Sequence, residues 1–121
     1  MTQHERLEPA CDDEPPSLGL DVASPYAHRA DVKDPAMLAT MNALTRWHAQ
    51  RCQPYANIVE RLFPEQPATS LASVPYLPVR LFKSHDLRSV EPSQVIKTLT
   101  SSGTTGQSVS RIHLDRETSM R

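Results

Sequence analysis

Between residues 34 and 62 apolar side chains recur every three or four positions, and beyond residue 95 they give way to short β-branched runs. In "DPAMLATMNALTRWHAQRCQ" the residues Met37, Met41, Leu44, His48 and Cys52 share one stripe, which Leu38 and Trp47 widen. That period predicts an amphipathic helix. Asp34 suits its N-cap and Pro35 its first helical position, where a missing N–H costs no hydrogen bond. Pro54 interrupts the stripe, and Tyr55, Ile58, Val59 and Leu62 resume it. The pattern reads as two helices, or one kinked at Pro54, ending before Pro64. Trp47 and Tyr55 read as helix-packing residues.

In "PEQPATSLASVPYLPVRLFKSHDL" the prolines Pro67, Pro75 and Pro78 exclude a long helix, although "SLAS" suits a single turn. Val79 to Phe82 fits either a brief extended segment or irregular chain lying over a larger body. Tyr76, Leu77, Val79, Leu81 and Phe82 need burial, and the sequence offers few partners for them. "VIKTLT" and "SVSRIHLD" then read as strands on either side of a polar loop. Asp115 suits the cap of a further helix at "RETSMR", with Glu117 favourably charged near its start. The fold class is α/β: leading helices, a proline-rich crossing segment, then strand–loop–strand. Residues 1–33 mix acids, prolines and small polar residues without apolar period. They read as a mobile or loosely packed tail ahead of a folded segment at 34–121.

Composition narrows the function classes. The chain has 121 residues and 38% hydrophobic content, enough for one domain with a marginal core. Its 13 basic and 14 acidic residues are interleaved and leave a net charge of −1. No basic stripe with aromatics is present, which argues against a nucleic-acid partner. No apolar run is long enough to span a membrane, and no secretory h-region opens the chain; the expectation is a cytoplasmic protein. Cys11 and Cys52 lack metal-ligand spacing, leaving either a disulfide or two thiols of a reducing compartment. The histidines His4, His28, His48, His85 and His113 likewise show no ligand spacing, so no metal site is expected. His113, alternating with Ile112 and Leu114, reads as a sheet residue facing solvent or a cleft. Arg80, Lys83 and His85 lie close together in "RLFKSHDL", which suits either a substrate contact or a packed loop with solvated charges.

The chemistry concentrates in "TLTSSGTTGQSVSRIHLD", which holds two of the chain's three glycines. Gly103 and Gly106 permit positive φ and close approach of a ligand to the backbone. Successive N–H groups turned inward make a concave anion site, and the hydroxyls of Ser101, Ser102, Thr104 and Thr105 add donors without filling it. Phosphate oxygens match such a site, and Arg111 supplies the charge that the loop lacks. A solvent-exposed hairpin turn has the same composition. The pattern is neither a Walker loop, which needs Gly-Lys-Ser/Thr leading into a helix, nor the dinucleotide Gly-x-Gly-x-x-Gly.

"TSSGTTG" between two strands resembles the phosphate-binding loop of the adenylate-forming enzymes. With "VPYLPVRLFKSHDL" ahead of it, residues 35–121 are similar to the acyl-protein synthetase family, whose best-known member serves the bacterial luminescence fatty-acid reductase complex. The resemblance implies a ligase in which a fatty acid's carboxylate attacks the α-phosphorus of ATP and the acyl group of the resulting acyl-adenylate passes to a thiol. Carried over, Ser101, Ser102, Gly103, Thr104, Thr105 and Gly106 would hold the β- and γ-phosphates, with Mg²⁺ on those phosphates. Most members of the superfamily close this motif with Pro-Lys. Here "QSVSR" stands in that place, and Arg111 is the candidate for the cationic role, as a planar fork rather than a point charge. The implied partners are a long-chain carboxylic acid and an acyl-accepting reductase. The resemblance also implies that the chain is the N-terminal part of a longer protein and inactive alone, with Cys11 and Cys52 misplaced to be the acceptor thiol. A rival reading is a non-catalytic helical interaction module, or a remnant of such an enzyme, whose loop binds no nucleotide. The enzyme reading expects exposed apolar surface around Tyr76 to Phe82, and the rival an independently stable unit.

Overall fold

In a computed structural model, residues 14–17, 23–101 and 108–120 are described. Two consecutive helices, α1 (Ala30–Arg51) and α2 (Gln53–Leu62), lead the chain. A crossing segment carries the short helix α3 (Leu81–Ser84) between single 3-10 turns at Leu71–Ser73 and Pro92–Gln94, and a hairpin of β1 (Lys97–Thr100) and β2 (Arg111–Leu114) follows. A last turn of helix, α4 (Arg116–Met120), ends the described chain. The architecture is mixed α and β, as expected.

The break between the first two helices falls at Cys52, whose extended backbone separates them, and Pro54 takes the second helical position of α2. There its missing N–H is one of those no helix satisfies. The start of α1 differs from expectation. The helix begins at Ala30, not after an Asp34 cap, because the N–H groups of Val32 and Lys33 already bond back to the Arg29 carbonyl at 3.1 and 3.0 Å. Pro35 therefore lies inside the helix, where it removes one i→i−4 bond in a stretch that is exposed from Ala30 to Ala36.

The inner face of α1 is also more polar than its apolar stripe suggested. Trp47 and Cys52 are buried, but so is Thr45, and Asn42 and His48 share the inward side. Each of these polar groups is satisfied. Thr45 Oγ1 donates to the Met41 carbonyl at 2.9 Å. Asn42 brackets Ala68, donating Nδ2 to its carbonyl and accepting its N–H, both at 2.9 Å. The pair acts as a backbone-like clamp that holds the chain after α2 against α1. Across the helices the core consists of Trp47, Cys52, Val59 and Ala68, with Arg51 stacked 4.3 Å above the Trp47 ring. Leu62, expected on the packed face, is 67% exposed.

The crossing segment turns at Leu71–Ser73, the site of the expected "SLAS" turn. Val79 to Phe82 is neither extended nor irregular, as had been expected, but enters α3. Pro78 starts it, since successive bonds from Leu81, Phe82 and Lys83 to the carbonyls of Pro78, Val79 and Arg80 wind the chain directly after that proline's fixed φ. Tyr76 and Val79 remain largely exposed, and Leu77, Leu81 and Phe82 are half-buried. Exposed apolar surface in this stretch was the expectation.

The strands are antiparallel, with Thr98 opposite His113 and Thr100 opposite Arg111. Beyond the strand ends the pairing continues, through Ile96 N–H to the Leu114 carbonyl at 3.0 Å and Ser101 N–H to the Ser110 carbonyl at 3.2 Å. Asp115 caps α4 as its position suggested, its carboxylate accepting the Thr118 N–H at 2.8 Å.

Candidate functional site

The hairpin register assigns its two faces. Residues opposite one another share a face, so Thr98, Thr100, Arg111 and His113 look one way, and Leu99 and Ile112 the other. The face bearing Arg111 and His113 meets the α3 segment across a cleft of about 320 Å³. Phe82, Lys83, His85 and Asp86 line one wall, Arg111 and His113 the other.

A polar bridge joins the walls. Asp86 Oδ1 lies 3.0 Å from His113 Nε2, and Asp86 Oδ2 lies 3.3 Å from an Arg88 guanidinium nitrogen. On its far side the His113 ring meets Thr98, with Nδ1 at 3.1 Å from Oγ1. In the tautomer that carries its hydrogen on Nε2, the ring donates to Asp86 and accepts at Nδ1 from the Thr98 hydroxyl. The Asp86 carboxylate is thus engaged through both oxygens. Ser84 Oγ contacts His85 Nδ1 at 2.9 Å and orients that ring at the end of α3. Lys83 and Arg111 are exposed cleft residues, and among the described residues neither forms an ion pair with a carboxylate. Two permanent cations therefore face a single carboxylate already matched by Arg88 and His113. The cleft favours an anion.

The α3 segment is in turn anchored to the helices. His48 Nδ1 and Ser89 Oγ are 2.7 Å apart, which ties the chain just beyond Arg88 to α1. Burial, and to a lesser degree the nearby Arg51 guanidinium, lowers the His48 pKa from its ordinary 6.5. The neutral ring is favoured at this junction.

Of the residues read from sequence as phosphate ligands, two lie in described chain. Ser101 extends the hairpin pairing past β1, and its hydroxyl accepts the Ser110 N–H at 3.0 Å. Arg111 opens β2 and lines the cleft, opposite Thr100 and so one residue from Ser101. Ser102, Gly103, Thr104, Thr105 and Gly106 lie outside the described residues. From "RLFKSHDL" the structure brings Lys83 and His85 into the cleft but not Arg80. Sequence reasoning missed Asp86 and Thr98. Thr98 carried a signal, since pairing the two strand patterns in register sets it against His113. For Asp86 no spacing rule pointed across the chain.

Among the described residues no three His, Cys, Asp or Glu side chains gather as a metal site, and no helix is long and apolar enough to cross a membrane. Cys52 is a buried free thiol. A second groove of about 350 Å³, between α1 and the 71–76 turn, is walled by Met37, Met41, Leu71, Val74 and Tyr76, and its walls carry no charge.

The model of the family "Acyl-protein synthetase, LuxE" matches residues 13–121. No curated protein and no solved structure matches the chain. With nearly its whole length matched, this chain belongs to the acyl-protein synthetase LuxE family.

Proposed function

Starting from membership of that family, we propose that this chain forms the phosphate-holding part of an ATP-dependent acyl-protein synthetase. The reaction activates a long-chain carboxylic acid as its acyl-adenylate, on an adenylate-forming fold, and passes the acyl group to a thiol. Ser101, Ser102, Gly103, Thr104, Thr105 and Gly106 cradle the β- and γ-phosphates of ATP. Arg111 supplies the cation where most of the superfamily has lysine. The observation that carries this reading is the position of Arg111. It opens β2 a few residues beyond the glycine and hydroxyl stretch, in a cleft with surplus positive charge.

The work asked of these residues is positioning and electrostatic stabilisation. Pyrophosphate leaves as the carboxylate attacks, and donors fixed around the departing oxygens favour that charge without reorganising. Ser101 suits such a task because the Ser110 N–H holds its oxygen while the hydroxyl hydrogen can turn to a phosphate. Magnesium enters on the oxygens of ATP, and no residue of this chain is assigned to it. A cytoplasmic location and a reductase that receives the acyl group complete the reading.

The test is fatty-acid-dependent ATP–pyrophosphate exchange in the gene product carrying these residues. Replacing Thr104 by Val and Gly106 by Ala together should lower exchange by roughly a hundredfold, the scale of losing preorganised donors at the developing charge. Undiminished exchange would falsify the role of the turn.

A further inference from the structure

The cleft between α3 and β2 has features that the turn alone does not require. Its charged residues come from two separate parts of the chain, Lys83 from the crossing segment and Arg111 from the hairpin. A bridge from Thr98 through His113 to Asp86 holds those parts together, and Arg88 balances the carboxylate that would otherwise repel an anion. If Asp86 served only to neutralise the cleft, it would be expected on Lys83 or Arg111. Instead it faces Arg88 and His113 and leaves both cations available.

We propose that this cleft is a phosphoryl-oxyanion site in its own right. Lys83 and Arg111 are its charged ligands and His85 a third donor, while Asp86 and His113 act as positioning residues that set the gap between the two walls. Lysine and arginine divide the task by geometry: the ammonium is a compact charge for one oxygen, and the guanidinium fork engages two. The site rests on the phosphate reading of the neighbouring turn for the source of its anion, though not for its charge. Two sources share that chemistry, the polyphosphate of a bound nucleotide and free pyrophosphate.

The experiment is calorimetric titration of the 121-residue chain with inorganic pyrophosphate and separately with ATP, at constant ionic strength so that exposed charges are screened equally. Saturable pyrophosphate binding is expected. Lys83→Gln and Arg111→Gln should each weaken it roughly tenfold, the scale of one charge-assisted hydrogen bond. Lys83→Arg should recover most of the loss. Both side chains are exposed, so neither change disturbs packing, and an unchanged far-ultraviolet dichroism spectrum checks this. Pyrophosphate binding that both glutamine variants share with the parent overturns the proposal, as does its absence from the parent. Equal weakening of ATP and pyrophosphate by the glutamine variants identifies free pyrophosphate as a sufficient ligand. Weakening of ATP that exceeds the weakening of pyrophosphate identifies the nucleotide as the source.

The Thr104, Gly106 double variant separates this proposal from the previous one. If that variant abolishes pyrophosphate binding and Lys83→Gln leaves it unchanged, the turn is the site and the cleft proposal falls. If Lys83→Gln weakens it while the double variant leaves nucleotide exchange intact, the cleft stands and the reading of the turn falls.

Discussion

The paired helices and the hairpin with its cleft are held by different forces. In the helices, Trp47, Cys52, Val59 and Ala68 leave water, and the polar groups that accompany them are closed off by short-range or clamp-like bonds. In the hairpin, Leu99 and Ile112 stay 43% and 42% exposed, and among the described residues the contact between Asp86 and His113 is a polar tie from the hairpin to the α3 segment. Packing stabilises the first region and directed polar contacts the second. The difference follows from what each does: a cationic cleft needs solvent-accessible charge, which a sealed apolar core would neutralise or expel.

The contrast can be broken most severely at Trp47. Trp47→Ala should cost about 3–5 kcal/mol, since it removes the largest member of so small a core and leaves a cavity. Urea denaturation followed by far-ultraviolet dichroism measures it, and a loss below about 1 kcal/mol would mean that packing does not dominate the helices. Asp86→Asn should act on the other region and more gently, by about 1 kcal/mol or less, because the Asp86 side chain is 57% exposed and screened. The readout is amide hydrogen exchange at Ile96 and Ser101, whose N–H groups extend the hairpin ladder. Their exchange should be faster in the variant than in the parent. Equal rates in the two would show that the bridge does not hold the hairpin.

The smallest effect expected lies at the junction of the two regions. The folded-state pKa of His48 is lowered, so the folded protein binds this proton less readily than the unfolded chain does. Above the unfolded value of 6.5 the ring is neutral in both states and contributes no pH dependence. As pH falls through that value the unfolded state gains the proton first, and stability declines until the folded ring also protonates. His48→Gln should therefore flatten the slope of unfolding free energy between about pH 7 and pH 5, the range in which histidine titrates. Superimposable slopes in parent and variant would remove His48 as the cause.

Much of the secondary structure was legible. The helix pair with its break near Pro54, the turn at Leu71–Ser73, both strands and the Asp115 cap follow from local patterns. The misreadings were local conflicts in which one rule outweighed another. Pro35 reads as a helix start, yet Ala30 to Asp34 can wind ahead of it because the lost bond faces water. Pro75 and Pro78 read as breakers of helix, yet a proline starts a turn as readily as it ends one, and α3 follows Pro78. Of the cleft, Arg111 was marked by its charge near the glycine and hydroxyl stretch, and Lys83 and His85 by their closeness in sequence. Asp86 was not, because its partner His113 lies 27 residues away and no local spacing links the two.

By itself, then, the sequence determined where the chain winds, where it extends and which short stretch is built of donors with little to bury, because these depend on neighbours a few residues away. Only the tertiary structure decided that Asn42 clamps Ala68, that His48 meets Ser89, and that Lys83 and Asp86 face Arg111 and His113. Those meetings depend on the path of the intervening chain through space. Periodicity carries no information about that path, since it reports which face of an element is turned inward and not what waits on the other side.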